Sequence, residues 1–272
     1  GGTTPATMEM LPRSYNFRVT YEGVSVQKTQ NVGNDPNVVF QTTNVSFTLE
    51  DSTGAPLTGG AEVNAGGWKT FGSGTTPATM ELLPRSYNFR VTYEGVSVQK
   101  NQNIGNDPNV VFETTNVSFT LKNSTGVVIT GAGAEVNAGG WKTFGGGTTT
   151  ATMELLPRSY NFRVSYAGAS IQKNQNVASD PNVIFETVSV SVKVQSVSGT
   201  SLEGDAEYNA SGWKQFGGGK TPATMELLPK SYNFRVTYND GSAQKNQNVG
   251  IDPNVVFGTL TVSYADEGGW VI

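Results

Sequence analysis

Four copies of a motif with one aspartate and one asparagine are the first candidates for chemistry in this sequence. The motif, Asp-Pro-Asn-Val, begins at Asp35, Asp107, Asp180 and Asp252. Oxygens of these side chains can bind calcium, although a complete site needs six or more oxygen ligands. The same residue types also favour a turn in which the side chain bonds to nearby backbone groups. Because few other carboxylates lie near each motif, the sequence favours the turn, with calcium at the repeat junctions as the alternative.

Glutamates at repeated positions are the second candidates, with arginines nine residues further along. The pairs are Glu9 with Arg18, Glu81 with Arg90, Glu154 with Arg163, and Glu226 with Arg235. Such a glutamate could be a catalytic or cross-linking acid, but no second carboxylate placed for acid–base chemistry is apparent. The chain has no histidine and no cysteine, which removes the commonest general base and the imidazole and thiolate metal ligands. We therefore expect surface cross-strand pairs, no enzyme activity and no cofactor.

Three tryptophans follow small, flexible residues at one position of the repeat. They are Trp68, Trp141 and Trp213, each preceded by Gly-Gly or Ser-Gly. Exposed aromatic rings could stack on sugars or on a neighbouring subunit. The favoured interpretation is that each ring covers the core or an edge of its own repeat.

One segment occurs four times and determines the organisation of the chain. Its methionines, Met8, Met80, Met153 and Met225, are separated by 72, 73 and 72 residues. A period this regular predicts a tandem array of one small module. We place complete repeats at 44–115, 116–188 and 189–260. Residues 1–43 are then the second half of a repeat, and residues 261–272 begin another or provide a donor strand.

Alternation of apolar and polar residues predicts β-strands throughout each repeat. In residues 86–93, Tyr87, Phe89 and Val91 fall on one face while Asn88 and Arg90 fall on the other. The preceding Leu-Pro-Arg-Ser stretch predicts a hairpin turn between residues 78–82 and 86–93. Residues 110–121 contain no glycine or proline and predict one strand that continues into the next repeat. About seven short strands per repeat indicate a β-sandwich.

Composition limits the partners of the chain. The net charge is −4 and the basic residues are scattered, so a nucleic-acid surface is not expected. No apolar run is long enough to cross a membrane. Charged residues make up only 15% of the chain while small and polar residues are abundant, which favours an extracellular or cell-surface β protein.

Two motifs carry a resemblance to a known family. Residues 51–57 read Asp-Ser-Thr-Gly-Ala-Pro-Leu, and residues 83–91 read Leu-Pro-Arg-Ser-Tyr-Asn-Phe-Arg-Val. Together they resemble the prealbumin-like sandwiches, which are the carboxypeptidase regulatory-like domains and the collagen-adhesin B-type repeats. The resemblance implies an all-β tandem array of about four immunoglobulin-like, seven-stranded sandwiches. In that family such modules serve mostly as stalks and spacers of bacterial surface proteins and pilins.

Some relatives in that family carry an internal lysine–asparagine cross-link, which the resemblance makes worth testing. The lysine would have to point inward from the first strand of a repeat. The inward positions of that strand are Val45, Phe47 and Leu49 in one repeat and equally apolar residues in the others. The cross-link is therefore not expected here.

The function expected from these patterns is structural. We expect a rigid extracellular rod, stalk or filament subunit, because each repeat buries its own core and contacts mainly its neighbours. The alternative is an adhesive or carbohydrate-binding array, in which repetition supplies avidity for glycans or a host surface.

The two partial repeats suggest a head-to-tail contact between copies of the chain. Residues 1–43 lack the strands that would cover their apolar face, and the last residues resemble a first strand. We expect the tail of one copy to complete the open repeat of the next by strand addition. The alternative is that residues 1–272 are a window of a longer continuous array. The residues expected in the contact are Met8, Leu11, Tyr15, Phe17, Val19, Leu260, Val262, Tyr264 and Trp270.

Overall fold

The computed structural model describes residues 2–263, and its regular elements in that range are all β-strands. The chain forms two compact units. The first extends to Asn116 and includes Glu154–Arg158, and the second comprises Val117–Met153 and the chain from Ser159 onward. The first ten strands are β1 Ser14–Tyr21, β2 Val24–Asn31, β3 Thr43–Glu50, β4 Pro56–Leu57, β5 Gly60–Asn64, β6 Trp68–Thr75, β7 Ala78–Leu82, β8 Ser86–Tyr93, β9 Val96–Asn103 and β10 Asn109–Glu113.

Sixteen further strands repeat the pattern of β3–β10 twice. The first eight are β11 Thr115–Lys122, β12 Val128–Ile129, β13 Gly133–Asn137, β14 Trp141–Thr148, β15 Ala151–Leu155, β16 Ser159–Tyr166, β17 Ala169–Asn176 and β18 Asn182–Glu186. The last eight are β19 Val188–Gln195, β20 Ser201–Leu202, β21 Asp205–Asn209, β22 Trp213–Lys220, β23 Ala223–Leu227, β24 Ser231–Tyr238, β25 Gly241–Asn248 and β26 Asn254–Gly258.

Each complete repeat contains two four-stranded sheets. In the first complete repeat, β3 pairs antiparallel with β4 and β7 and parallel with β10. The second sheet has the order β6-β5-β8-β9 and is antiparallel throughout. The same two sheets recur for β11–β18 and for β19–β26. The predicted all-β tandem array is therefore confirmed, and each complete repeat has eight strands where about seven were expected.

The core of the first complete repeat is built around a cluster of phenylalanines. Val45, Phe47 and Leu49 on β3 are completely buried, as their alternation predicts. The ring of Phe47 lies 5.4 Å from Phe71 and stacks at 5.3 Å on Phe112. Because aromatic pairs add to the free energy gained from area burial, this cluster is the main apolar support of the repeat.

The third complete repeat differs from the first at two buried core positions. Val192 stands where the first repeat has Phe47, and Tyr208 stands where it has Val63. Both are buried, and the Tyr208 ring lies 6.1 Å from Phe216. A smaller residue on one strand is thus matched by a larger residue on the facing strand, which conserves core volume.

The predicted hairpin between β7 and β8 is wrong. β7 pairs with β3, whereas β8 pairs with β5 and β9 in the other sheet, so the Leu-Pro-Arg-Ser connection passes from one sheet to the other. Leu82 and Leu83 are both buried at this crossing. The Tyr87 hydroxyl donates a hydrogen bond to the Leu83 carbonyl oxygen at 3.0 Å and fixes the corner.

The predicted continuous strand through residues 110–121 is also divided. β10 ends at Glu113 and β11 begins at Thr115. The backbone N–H of Thr114, between them, donates to the Glu50 carbonyl oxygen at 2.9 Å. Thr114 therefore bonds to its own repeat, and the first strand of the next repeat begins at the following residue.

Candidate functional site at the junction between repeats

A glutamate of one repeat binds the hydroxyls of the repeat before it. In the first unit, the Glu154 carboxylate on β15 accepts hydrogen bonds from Ser52 Oγ at 2.6 Å and from the Ser52 backbone N–H at 3.3 Å. It accepts a third from Thr114 Oγ1. Ser52 lies in the turn after β3 and Thr114 lies at the end of the repeat, so one carboxylate joins two parts of its neighbour.

The same arrangement occurs in the second unit. The Glu226 carboxylate on β23 accepts hydrogen bonds from the hydroxyls of Ser124 and Thr187, and from the Ser124 backbone N–H at 3.2 Å. Burial raises the pKa of Glu226, but the hydrogen bonds from Ser124 and Thr187 outweigh it and leave the pKa below the ordinary 4.5. The site therefore favours the charged carboxylate. We call Glu154 and Glu226 the junction carboxylates.

The turn that presents the serine is stabilised by the residue before it. Asp51 Oδ1 accepts hydrogen bonds from the backbone N–H groups of Thr53 and Ala55 at 2.8 and 2.9 Å. Hydrogen bonding, first of all from the Thr53 hydroxyl, lowers the pKa of Asp51. Asn123 accepts the equivalent bonds from Thr125 and Val127 in the second complete repeat. The turn is therefore ordered by local bonds and can present the serine in a fixed direction.

A second contact joins consecutive repeats on the other sheet. In the first unit, the turn between β1 and β2 packs on the loop before β6, and a Cβ on Gly23 would lie 2.7 Å from the Ala65 carbonyl oxygen. Lys69 Nζ donates to the Glu22 carbonyl oxygen at 3.1 Å. Gly23 has a φ of +81°, which a side chain rarely adopts, so both space and conformation require glycine here.

In the second unit, the turn between β16 and β17 makes the equivalent contact. A Cβ on Gly168 would lie 2.8 Å from the Ala210 carbonyl oxygen. The Tyr208 hydroxyl donates to the Ala167 carbonyl oxygen at 3.0 Å. In the second unit, the junction between the last two complete repeats is therefore held from both sheets. In the first unit, the two contacts lie at different junctions.

The predicted pairs between the repeated glutamates and arginines are wrong. Arg90 instead makes a two-pronged ion pair with Glu62 on the adjacent strand, with Nε 2.6 Å from Oε2 and Nη2 2.7 Å from Oε1. Glu62 and Arg90 are register partners on β5 and β8. Arg163 pairs with Glu135 in the same way. The repeated glutamates lie on β7 and on the equivalent strands β15 and β23, which belong to the other sheet. They therefore do not pair with these arginines, and Glu154 and Glu226 bind the preceding repeat instead.

The repeated tryptophans lie half-buried beneath these arginines. The guanidinium carbon of Arg90 lies 4.2 Å from the centre of the Trp68 ring, and Arg163 lies at the same distance from Trp141. Arg235 and Trp213 repeat the contact at 4.3 Å. Each tryptophan therefore belongs to a Trp–Arg–Glu cluster on one sheet, a cation–π contact that the sequence analysis did not anticipate.

The aspartate–asparagine motif forms the predicted turn. Asp107 Oδ1 accepts a hydrogen bond from the Asn109 backbone N–H at 2.9 Å, which confirms that interpretation. The Asn109 side chain has a second role, because its Oδ1 accepts a hydrogen bond from Ser46 Oγ at 2.8 Å. Within the part of the chain that the structure describes, no three acidic residues lie close enough together to hold a metal ion.

The residues expected in a subunit contact lie at exposed or half-buried positions. Met8 and Leu11 are 74% and 71% exposed, and Leu260 and Val262 are 89% and 83% exposed. Tyr15, Phe17 and Val19 on β1 are half-buried, whereas their counterparts on β8 are fully buried. Tyr264 and Trp270 lie outside the described residues.

Comparisons with known proteins find similarity only among solved structures. No protein-family model matches the chain, and no curated protein matches it. The chain is similar to the Bacillus anthracis TIE protein at 12% identity over 87% of this chain and 54% of the other, with a TM-score of 0.21. This chain therefore spans about half the length of that protein.

Two further solved structures are a pilin and a pilus adhesin. A streptococcal ancillary pilin is 11% identical over 79% of this chain and 98% of its own, with a TM-score of 0.24. The pilus adhesin SpaC from Lactobacillus rhamnosus GG is 11% identical over 76% and 38%, with a TM-score of 0.23. At such TM-scores the likeness carries no argument, and the fold assignment rests on the strand pairing described above. None of residues 2–263 lies in a helix with the length and apolarity of a membrane span.

Proposed function

We propose that the chain is a structural spacer of a cell surface or extracellular filament, built from tandem β-sandwiches that are fastened to one another directly. The junction carboxylates carry this proposal, because Glu154 and Glu226 each bind the preceding repeat through three donors. A spacer needs neighbouring modules that do not swing freely. Direct bonds between repeats, which come from both sheets at the junction in the second unit, restrict that motion, whereas a flexible linker would permit it.

Two successive junctions use the same residue types, a glutamate with a serine and a threonine of the preceding repeat, and such reuse suits a spacer built from a variable number of repeats. Repetition of one interface makes the geometry of each added repeat the same. We expect each repeat to lengthen the protein by roughly 35 Å, the rise of about ten strand residues.

Small-angle X-ray scattering of two chain lengths tests the spacer role. The chain of 272 residues would be compared with a variant lacking residues 116–188, which removes one whole repeat and leaves an equivalent junction with Glu226 in the place of Glu154. We expect the maximum dimension to decrease by the length of one repeat, roughly 35 Å. The distribution of dimensions should be equally narrow for both proteins. A broad spread of dimensions in both proteins would contradict the proposal.

The alternative function, glycan binding by the tryptophans, draws support from the incomplete burial of Trp68, Trp141 and Trp213. One face of each ring is already occupied by an arginine, so a sugar would have to use the other face or displace the guanidinium. Glycan-array binding that is lost when all three become alanine, with the fold intact, would favour this alternative over the spacer.

A further inference from the structure

The first and last strands of each complete repeat lie side by side and run in the same direction. In the first complete repeat, β3 and β10 are parallel register partners at five positions, from Ser46 with Asn109 to Glu50 with Glu113. β11 with β18, and β19 with β26, form the same five-position pairing. We call these three strand pairs the terminal clamps, because each joins the strand where the chain enters a repeat to the strand where it leaves.

Hydrogen bonds at both ends reinforce the clamp of the first complete repeat. At one end, Ser46 Oγ donates to Asn109 Oδ1 at 2.8 Å, and the Ser46 backbone N–H donates to the Pro108 carbonyl oxygen at 3.0 Å. At the other end, the backbone N–H of Thr114 donates to the Glu50 carbonyl oxygen at 2.9 Å. The two strands are therefore bonded from the first register position to the residue beyond the last.

The other two complete repeats contain the same reinforcing bonds. Each has a serine–asparagine bond of 2.9 Å at the start of its clamp, in the pairs Ser118–Asn182 and Ser191–Asn254. Each also has a backbone bond of 2.9 Å beyond the end of its clamp, donated by Thr187 to Lys122 and by Thr259 to Gln195. The clamp is therefore a property of the repeat and not of one copy.

Aromatic rings hold the inner side of the clamp in two of the repeats. Phe47 on β3 stacks on Phe112 on β10 with ring centroids 5.3 Å apart, and both side chains are buried. Phe119 and Phe185 make the same stacked contact at 5.3 Å in the second complete repeat. Because these rings exclude water from one side of the strand pair, they strengthen the hydrogen bonds beside them.

The direction of the two strands decides how a pulling force acts on the clamp. Tension along the chain pulls β3 from its N-terminal end and β10 from its C-terminal end. Because the strands are parallel, these forces act in opposite directions along one axis, and the five register pairs are sheared together. In an antiparallel pair the same two ends would lie side by side, and the bonds would separate one after another.

Tension applied to the chain passes from one clamp to the next through single residues. Only Thr114 separates β10 from β11, and only Thr187 separates β18 from β19. In the first complete repeat, β4–β9 lie between the clamp strands in sequence, so they bear no tension while the clamp holds. The chain has no cysteine, so no disulfide carries the load in place of the clamp.

We propose that each complete repeat carries tensile load and that its terminal clamp sets the force at which it unfolds. This function goes beyond that of a spacer, which fixes a distance but need not resist pulling. Forced unfolding is governed by the rate of unfolding and not by equilibrium stability. Bonds that must break together therefore contribute more to mechanical strength than the same bonds broken in sequence.

Optical tweezers with two pulling geometries on one repeat test this proposal. The full chain contains no cysteine, so DNA handles can be attached at two introduced cysteines. Asn44→Cys with Glu113→Cys loads the clamp in shear, whereas Ala55→Cys with Glu113→Cys pulls both strands from the same end. All three positions are exposed, so the substitutions leave the core unchanged.

We expect the shear geometry to require at least about twofold more force than the same-end geometry. Each unfolding event in shear should release roughly 200 Å of chain, the extended length between the handles less their folded separation. Equal unfolding forces in the two geometries would overturn the proposal. That result would leave the spacer role standing, because small-angle scattering tests the spacer role without any pulling.

A serine substitution tests whether the clamp itself bears the load. Ser46→Ala removes the bond to Asn109, and in the shear geometry the repeat should unfold about two- to tenfold faster at a fixed force. Ser97→Ala is the matched control, because it removes a 2.8 Å hydroxyl contact with Thr92 that joins β8 and β9, outside the clamp. The control should change the unfolding rate by less than about twofold. Equal effects of the two substitutions would overturn the role assigned to the clamp.

Discussion

Ser52 Oγ lies 2.6 Å from Glu154 Oε1 although 102 residues separate them in the chain. The bond joins a surface turn of one repeat to a strand of the next. Ser124 and Glu226 are separated by the same number of residues and form the same bond in the second unit. Neither residue contributes to the core of its own repeat, so we assign the pair to the connection between repeats.

Removing one junction carboxylate should loosen one junction. We expect Glu226→Ala to lower the free energy of unfolding of the second unit by about 1–3 kcal/mol, since hydrogen bonds to a charged group are lost at a partly exposed site. Chemical denaturation followed by circular dichroism measures the change. Glu81→Ala is the matched control, because Glu81 is exposed and accepts no bond of this kind among the described residues. Equal costs for the two variants would contradict the assignment.

The junction of the second unit should weaken in acid. The pKa of Glu226 is lowered from 4.5 in the folded chain, so its charged form binds Ser124 and Thr187 more strongly than its protonated form. The stabilisation is complete above about pH 4.5 and is lost as the pH falls through the lower, folded pKa. The difference in stability between the native chain and Glu226→Gln should therefore shrink below pH 4.5. A difference that stays constant with pH would show that charge plays no part.

The exchanged core residues of the third complete repeat should be coupled. Val192→Phe alone should overpack the core and Tyr208→Val alone should leave a cavity, each at a cost of about 1–3 kcal/mol. The double variant restores the arrangement of the first repeat, so it should cost clearly less than the sum of the two single variants. Strict additivity in denaturation experiments would mean that the two residues do not share one space. Because the Tyr208 hydroxyl also bonds to Ala167, we do not expect full recovery.

Arg163 should shield the ring of Trp141. Because the guanidinium covers one ring face and is fixed by Glu135, Arg163→Ala should expose the indole to water and shift tryptophan fluorescence to longer wavelength. Arg158→Ala serves as a comparison, because the Arg158 side chain donates to the Ser97 carbonyl oxygen at 3.2 Å. The absence of a shift would show that the cation–π contact is not maintained in solution.

The sequence predicted the repeat and the fold class because both depend on local periodicity. The alternation of Val45, Phe47 and Leu49 identified a half-buried strand and its inward face correctly. The turn at Asp107 was equally predictable, since it is closed by a bond between neighbouring residues. Neither depends on which strands pair at long range.

Pairing between distant strands could not be predicted in the same way. The proline after Leu83 is compatible with a hairpin or with a crossing between sheets, and the pairing of β7 with β3 and of β8 with β5 decides for the crossing. That error placed Glu81 beside Arg90 and concealed the true partner of Arg90, Glu62. The junction bonds of Glu154 were missed for the same reason, since Ser52 lies in another repeat and nothing in the spacing associates the two.

Distance measurement between two spin labels tests most directly whether the junction carboxylates fix consecutive repeats. Ser179→Cys and Ile251→Cys place labels at equivalent exposed positions of the last two repeats in a chain with no other cysteine. Pulsed electron paramagnetic resonance should give one narrow distance distribution, which broadens when Glu226 and Ser124 are both changed to alanine. A distribution that is already broad in the native chain, or that the two substitutions leave unchanged, would contradict the account.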